Sequence, residues 1–556
     1  MRSDATAARR NRQPCHALAR RRAFPDNAAV PVRPAPPRSI RLRFVAWIGI
    51  IVALLVGMPA WFFLLRGQRI LHQDALLIGG WAIAAGLILC LWGLLRSTPP
   101  TAIRLREKTS FWCVLLGAAW LHLHALLWLA PALSDDVLRY RLDGLQWNGG
   151  RSPYLGDPSG VAVAAAPPNA VDVIDFATPF ADVPTIYLPV SQAVFAALRR
   201  IDMAFPPAPW PAGEREEWSL RELIGLQTPM PRLYVWRVAF AGAMLAATAA
   251  LMGLLRRRGR SLWYAALFAW HPLAVIETAG MAHQDAVGIL LAAAAWLAWD
   301  AAGRVEAGPA EPPQPAAVNG KRPRARPAAL ARVGGGFALP AAGVLLALAV
   351  GVKPIAGIVA AFWFIARPRA AWVVPMLVTL ALVMSPLLYQ QGYVGFLETL
   401  RSYTRTWEAN GSIYELILTQ VKPVWTWGFE LFIDTSELGR MVAAIGSAAV
   451  GIACVRRRAT WESAYYALCL AGLLLGPIAY PWYLLWPLAV VPLLPRGGLT
   501  LLVFSTTVGI SYALWHTPDW KLPAWMSLLE YLPVYLALLI EWRWFATASA
   551  PSARGA

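Results

Sequence analysis

The stretch FWCVLLGAAWLHLHALLWLAPALSDDVLRYRLDGLQWNGGRSPY, residues 111–154, joins two kinds of chain that water-soluble domains keep apart. Its first part, 111–131, contains no Asp, Glu, Lys or Arg and is long enough for an α-helix to cross the roughly 30 Å hydrocarbon core of a bilayer. Its second part opens on paired carboxylates and alternates acids with arginines. The same contrast runs through the whole chain. Of 556 residues, 58% are hydrophobic and only 15% charged, and the mean hydropathy is positive, a balance that soluble domains rarely reach. Apolar runs of about 18 to 22 residues call for membrane-spanning helices. A β-barrel would read instead as alternating segments of about 10 residues.

The expected fold class is therefore all-α, a polytopic transmembrane helical bundle. Spans are expected at 44–65, 75–95, 111–131, 233–255, 262–280, 284–302, 337–351, 352–366, 371–390, 440–455, 463–480, 481–495, 498–515 and 527–543. The pair 337–351 and 352–366 is short, with Pro354 near its junction. A single broken or re-entrant element is the alternative there, so the count is about 12–14.

The net charge of +19, from 50 Lys and Arg against 31 Asp and Glu, lies mostly in the N-terminal arm, the connections and one linker. Basic connections set orientation and attract anionic headgroups, so nucleic acid is not an expected partner. The arm 1–43 is rich in Arg, Ala and Pro and too polar for a cleavable signal; it reads as a disordered cytoplasmic segment. RSTPPTAIRLREK at 96–108, RRRGR at 256–260, RPR at 367–369, RRR at 456–458 and the linker 303–333 fall on the same side as that arm. The positive-inside rule makes that side the cytoplasm. The linker is expected to be disordered and to divide an N-terminal membrane half, 44–302, from a C-terminal half, 334–545, which ends in a cytoplasmic tail, 546–556. Two loops then lie outside, 132–232 and 391–439. Within the first, TIYLPVSQAVFAALRR reads as an interfacial or partly inserted helix rather than a full span. Cys90, Cys113, Cys454 and Cys469 lie in apolar runs and Cys15 in the arm, with no CxxC spacing, so neither a disulfide framework nor a zinc site is expected.

Polar, reactive stretches gather on the outer face under this topology. With Ser134 as N-cap, Asp135 and Asp136 would occupy a first helical turn, where the helix dipole favours carboxylates. That helix would align Asp135, Arg139 and Asp143 on one face and Leu138, Leu142 and Leu145 on another, the apolar face resting on the membrane. A carboxylate there suits a general base, and a guanidinium suits a phosphate. His283 and Asp285 open an apolar helix, where a capped helix start is the plainer reading. Carboxylates and imidazole suit several divalent ions, but one HxD lacks metal-site spacing, so no metal or other cofactor is predicted. Lys353 is nearly surrounded by apolar residues, either functional or snorkelling. Trp482, Tyr483 and Trp486 belong to an aromatic belt or stack on sugars, and Asn410-Gly411-Ser412 matches a glycosylation acceptor pattern.

The segment SDDVLRYRLDGLQWNGGRSPY, 134–154, resembles the SDD-x-x-RY-x-x-DG, G, NPY pattern of multispanning bacterial mannosyltransferases of the C-type glycosyltransferase superfamily. TIYLPVSQAVFA, HPLAVIETAGMAHQDA, VGVKP and PWYLLWPLAV resemble further segments of that family in the same order, so the likeness runs from about Ser134 to Val490. Ser152 replaces an Asn, Leu188 a Pro, and Arg141 stands where an apolar residue is common. The resemblance implies a bacterial plasma-membrane enzyme that moves a hexose, mannose above all, from a polyprenyl-phosphate donor to an envelope lipid or glycan, with inversion. It implies a catalytic carboxylate at Asp135 or Asp136, donor-phosphate contacts from Arg139, Lys353, Arg151 and His283, and sugar or acceptor contacts from Tyr140, Asp143, Tyr154, Asp285, Asn410, Trp482 and Tyr483. The rival from another class is a transporter or lipid flippase, which would scatter ionisable residues at mid-depth instead of clustering them at one face. A noncatalytic envelope scaffold is the third reading.

Overall fold

The computed structural model describes residues 38–66, 74–97, 107–156, 178, 180–204, 231–306, 337–421, 434–495, 497–517 and 520–548. The expected arm (up to residue 37), most of the linker (307–336) and the end of the tail (549–556) lie outside the described residues. Among those described there is no β-strand.

Helices α1 (Arg38–Leu64), α2 (Asp74–Ser97) and α3 (Glu107–Trp128) pack together. The shorter α4 (Asp136–Asn148) and α5 (Pro189–Asp202) pair with each other, followed by α6 (Pro231–Arg257) and α7 (Asp285–Glu306). The C-terminal half comprises α8 (Ala338–Val350), α9 (Ile358–Ala366), α10 (Ala370–Met384), α11 (Gly392–Thr406), α12 (Thr435–Arg456), α13 (Trp461–Leu475), α14 (Leu499–Thr507) and α15 (Ala524–Ala548). Nine helical segments among the described residues are long and apolar enough to cross a membrane. Their outer faces carry bare apolar side chains such as Ile83, Leu116, Leu382 and Leu539, each at least 60% exposed, which hydrocarbon tails solvate and water does not. The protein is embedded in a membrane.

Four expected spans are shorter helices instead: 338–350, 354–366, 461–475 and 481–493. The run 262–280 departs furthest from expectation, because it is a chain of short turns ending in a π-helical one, Ile276–Gly280. Pro272 offers no N–H and His271 before it is extended (φ −65°, ψ 132°), so a continuous helix is broken there. Its apolar residues are almost all buried, which identifies a core element packed on every side.

The two halves divided by the linker share one core. Trp81 Nε1 donates to Ser505 O at 2.9 Å, Trp515 Nε1 to Leu133 O at 3.0 Å, and α7 packs along α8. Helix α7 also relates the two ends of the molecule. Its first residue, Asp285, meets Lys353, while Asp300, about 22 Å along a regular helix, meets Arg258, which also pairs with Glu462 at the start of α13. Arg367 lies over the Trp299 ring, so the basic connections collect at the end of α7 away from Asp285.

Helix α4 does not rest on lipid as expected. Leu138, Leu142 and Leu145 are buried within the protein, and Gly144 brings α4 so close to α5 that a Cβ there would lie 2.5 Å from Phe195 O. Arg141, unexpected by the family pattern, is buried and paired with Asp202 of α5 at 2.6 Å. The segment expected to be interfacial or partly inserted forms α5, which is amphipathic and too short to cross a bilayer.

Candidate functional site

A cavity of about 730 Å³ opens where α3 gives way to α4, bounded by the 180–188 segment, the start of α7, the break before α9, α11 and the 480–483 turn. Asp135, Asp136, Arg139, Tyr140, Asp285, Lys353, Trp482 and Tyr483 all line it, so segments far apart in sequence meet at one surface.

The N-cap position falls to Asp135 and not to Ser134 as expected; Ser134 Oγ, one residue earlier, accepts from the Asp136 N–H at 3.3 Å. Asp135 precedes the helix (φ −102°, ψ 0°) and makes no capping bond, so only Asp136 lies in the first turn as expected. The two neighbouring carboxylates have opposite surroundings. Burial, and then the Asp136 charge, push the Asp135 carboxyl up to about 6. Burial works against the Asp136 charge as well, but His283 beside it and the Lys353 charge more than offset this and hold it below the usual carboxylate range. Tyr140 also donates to Asp136 Oδ2 at 3.4 Å.

His283 is fully buried and does not line the cavity. Its Nδ1 is 3.4 Å from Asp136 Oδ2, its Nε2 is 3.1 Å from Glu277 Oε2, and its ring stacks on Trp482 at 4.3 Å. Burial opposes its positive charge, but the two flanking carboxylates outweigh burial and raise its pKa to about 9. The chain reaches this position through Ala282, left-handed at φ 63°, a conformation that non-glycine residues adopt at a cost.

Lys353 Nζ lies 2.7 Å from Asp285 Oδ1 and 4.2 Å from the Tyr483 ring centroid, and Asp285 also receives Trp486 Nε1 at 2.5 Å. It therefore faces the cavity as a cation held by protein on one side. Arg139 Nε is fixed by Asp143 at 2.8 Å and its Nη1 by Phe180 O at 2.6 Å, leaving Nη2 with no hydrogen-bond partner.

The remaining expected site residues are structural in this arrangement and do not line the cavity. Asp143 is buried and collects Arg139, Thr185 Oγ1 (2.6 Å) and Gln192 Nε2 (2.8 Å), tying α4 to α5. Arg151 donates to Gly156 O, and Tyr154 is buried with its hydroxyl on Tyr187 O. Asn410 bridges Ala479 O and Glu530 Oε1. Trp482 already stacks on His283 and Tyr480, so part of its ring surface is occupied by protein.

Sequence reasoning missed Glu277, which receives the Tyr512 hydroxyl and faces His283. The available signal was a lone acid within an apolar run, costly unless used. It also missed Tyr403, whose hydroxyl meets that of Tyr483 at 2.5 Å, and Glu408, which lines the cavity and pairs with Arg440. Among the described residues no group of three or more His, Cys, Asp and Glu side chains is placed to hold a metal ion. No protein-family model matches the chain, and no curated protein or solved structure matches it. The likeness to C-type mannosyltransferases rests on the motif residues alone.

Proposed function

We propose that the protein is a membrane glycosyltransferase that moves a hexose, mannose first among them, from a polyprenyl-phosphate donor to a hydroxyl of an envelope lipid or glycan. The observation that carries this reading is the meeting, in one cavity at helix ends, of a carboxylate poised near neutrality, Asp135, with two cations, Lys353 and Arg139. A donor anchored by its lipid keeps the reactive bond at headgroup depth, so base and phosphate contacts belong at helix ends. The aromatic wall supplies flat apolar surface for sugar rings and the first isoprene units.

In this mechanism Asp135 takes the proton from the acceptor hydroxyl, whose oxygen forms the new bond to the anomeric carbon from the face opposite the phosphate. The bond from that carbon to the phosphate oxygen breaks, and its electron pair leaves on the polyprenyl phosphate. Lys353 and the Arg139 guanidinium balance the charge that develops on the leaving oxygen. Asp136, the better-stabilised anion, remains ionised throughout. A base with a pKa near 6 is ionised at neutral pH and still basic enough to accept a proton. The positive-inside rule, applied to the basic end of α7, supports a reading in which this cavity faces the extracytoplasmic side of the plasma membrane and both termini are cytoplasmic.

The test uses the full chain in lipid vesicles loaded with radiolabelled polyprenyl-phosphate-mannose and an envelope lipid and glycan extract. An enzyme consumes the donor and labels a component of the extract. Donor that crosses the bilayer unconsumed would establish the flippase reading, and donor that does neither would leave a scaffold.

A further inference from the structure

We propose that Glu277 is a positioning residue that, through His283, holds the Asp136 carboxylate in place beside Asp135. The proposal rests on the transfer reading for its catalytic meaning, and on geometry for the rest. Glu277 sits on the π-helical turn 276–280, a local widening that recurs where a side chain must be aimed at a site. It is fully buried in an otherwise apolar run, where a carboxylate is retained only with close partners. Those partners meet both oxygens: the Tyr512 hydroxyl donates to Oε1, and His283 Nε2 lies 3.1 Å from Oε2, an ion-pair contact without hydrogen-bond geometry. The far side of the imidazole faces Asp136, and the Trp482 ring stacked on it limits its rotation.

The row carboxylate, imidazole, carboxylate has a direct electrostatic consequence. Two acids on opposite nitrogens favour the doubly protonated ring, and a cationic His283 keeps Asp136 anionic. The Asp136 charge in turn keeps Asp135 basic. The charged groups around this row are Asp135 and Asp136 at the start of α4, Asp285 of α7 and Lys353 before α9, with Tyr512 on the Glu277 side. None of the others contacts His283 Nε2 as Glu277 does.

Glu277→Gln keeps the shape and removes the charge. In the full-length protein the wild type is expected to show an alkaline limb of kcat/KM near 9 and an acid limb near 6, and Glu277→Gln is expected to move the alkaline limb down by about 1–3 pH units and leave the acid limb in place. Glu277→Asp keeps the charge and is expected to retain the wild-type alkaline limb. A merely structural role would lower the whole curve without changing its shape. A second readout needs no reaction, namely thermal stability in detergent micelles across pH. The folded-state pKa of His283 is raised above its ordinary 6.5, so its stabilisation is complete below that value and lost as pH rises through about 9. Glu277→Gln is expected to move that loss to lower pH, and His283→Gln to abolish it. A wild-type stability curve in either Gln variant would overturn the proposal, as would equal shifts of the alkaline limb in Glu277→Gln and Glu277→Asp. Absence of transfer by the wild type, with the stability step moving as expected, would overturn the transfer reading and leave the Glu277–His283 pairing standing.

Discussion

Asp135 and Asp136 are chain neighbours of one chemical type, and what distinguishes them is the company each keeps. Asp136 has the buried His283 beside it, whereas Asp135 has burial and a like charge. Under the proposed transfer reading Asp135 is the base, and its titration is expected to set the acid side of activity: kcat/KM should rise with pH and level off above about 6. A profile still rising well above that value, or flat through it, would transfer the base role elsewhere. The motif 134–154 pointed to both acids, yet it could not separate them, because the separation comes from a histidine nearly 150 positions further on. The same motif drew Arg151, Tyr154 and Asp143 toward the chemistry, where the structure uses them to hold neighbouring segments. Glu277 was hidden for the opposite reason: its run reads as a membrane span, in which one acid is easily absorbed into the hydropathy average.

The elements that shape the cavity depend on close approach between backbones. Helix α11 presents Phe396, Thr399, Leu400 and Tyr403 to the cavity, and its other residues include the exposed Tyr393, Val394 and Leu397. It follows two left-handed residues, Gln390 (φ 51°) and Gln391 (φ 57°), with Gln390 Oε1 accepting from the Ser152 N–H at 2.9 Å. One turn later Gly395 lies against the Tyr154 carbonyl, where any Cβ would overlap the oxygen. The segment Gly150–Tyr154 thus anchors α11, a role for the end of the motif that its sequence did not disclose. Gly395→Ala is expected to displace α11 and raise KM for the lipid donor, with an overpacking cost of about 1–3 kcal/mol. Donor KM and thermal unfolding in detergent check this together, and an unchanged KM would mean that α11 does not border the donor. Periodicity located most of the helices because length and hydropathy are additive along a chain. It failed at 262–280, where a single proline decided continuity, and it could not foresee α4 turning its leucines into protein rather than lipid.

Across the whole molecule, α7 separates a cavity end from a basic end, and the proposed orientation, cavity outward, follows from this polarity by the positive-inside rule. In a cysteine-free background, Ser402→Cys beside the cavity is expected to react with an impermeant maleimide on intact cells, and Arg456→Cys only after permeabilisation. The reverse pattern would place the cavity in the cytoplasm. Fold class and the ingathering of distant polar segments were legible from apolar run lengths and the sides on which basic connections fall. The single shared core of the two halves was not, because contacts such as Trp81 to Ser505 join residues far apart in the chain. All of these scales meet in the claim that Asp135 is the base of a glycosyl transfer. The most direct measurement is the rate of mannosyl transfer from polyprenyl-phosphate-mannose by wild type, Asp135→Asn and Asp136→Asn, each reconstituted at equal protein. The account predicts labelled product from the wild type, a loss of about 10²–10⁴-fold in Asp135→Asn and a smaller loss in Asp136→Asn. Transfer at the wild-type rate by Asp135→Asn, or none by the wild type, would contradict it.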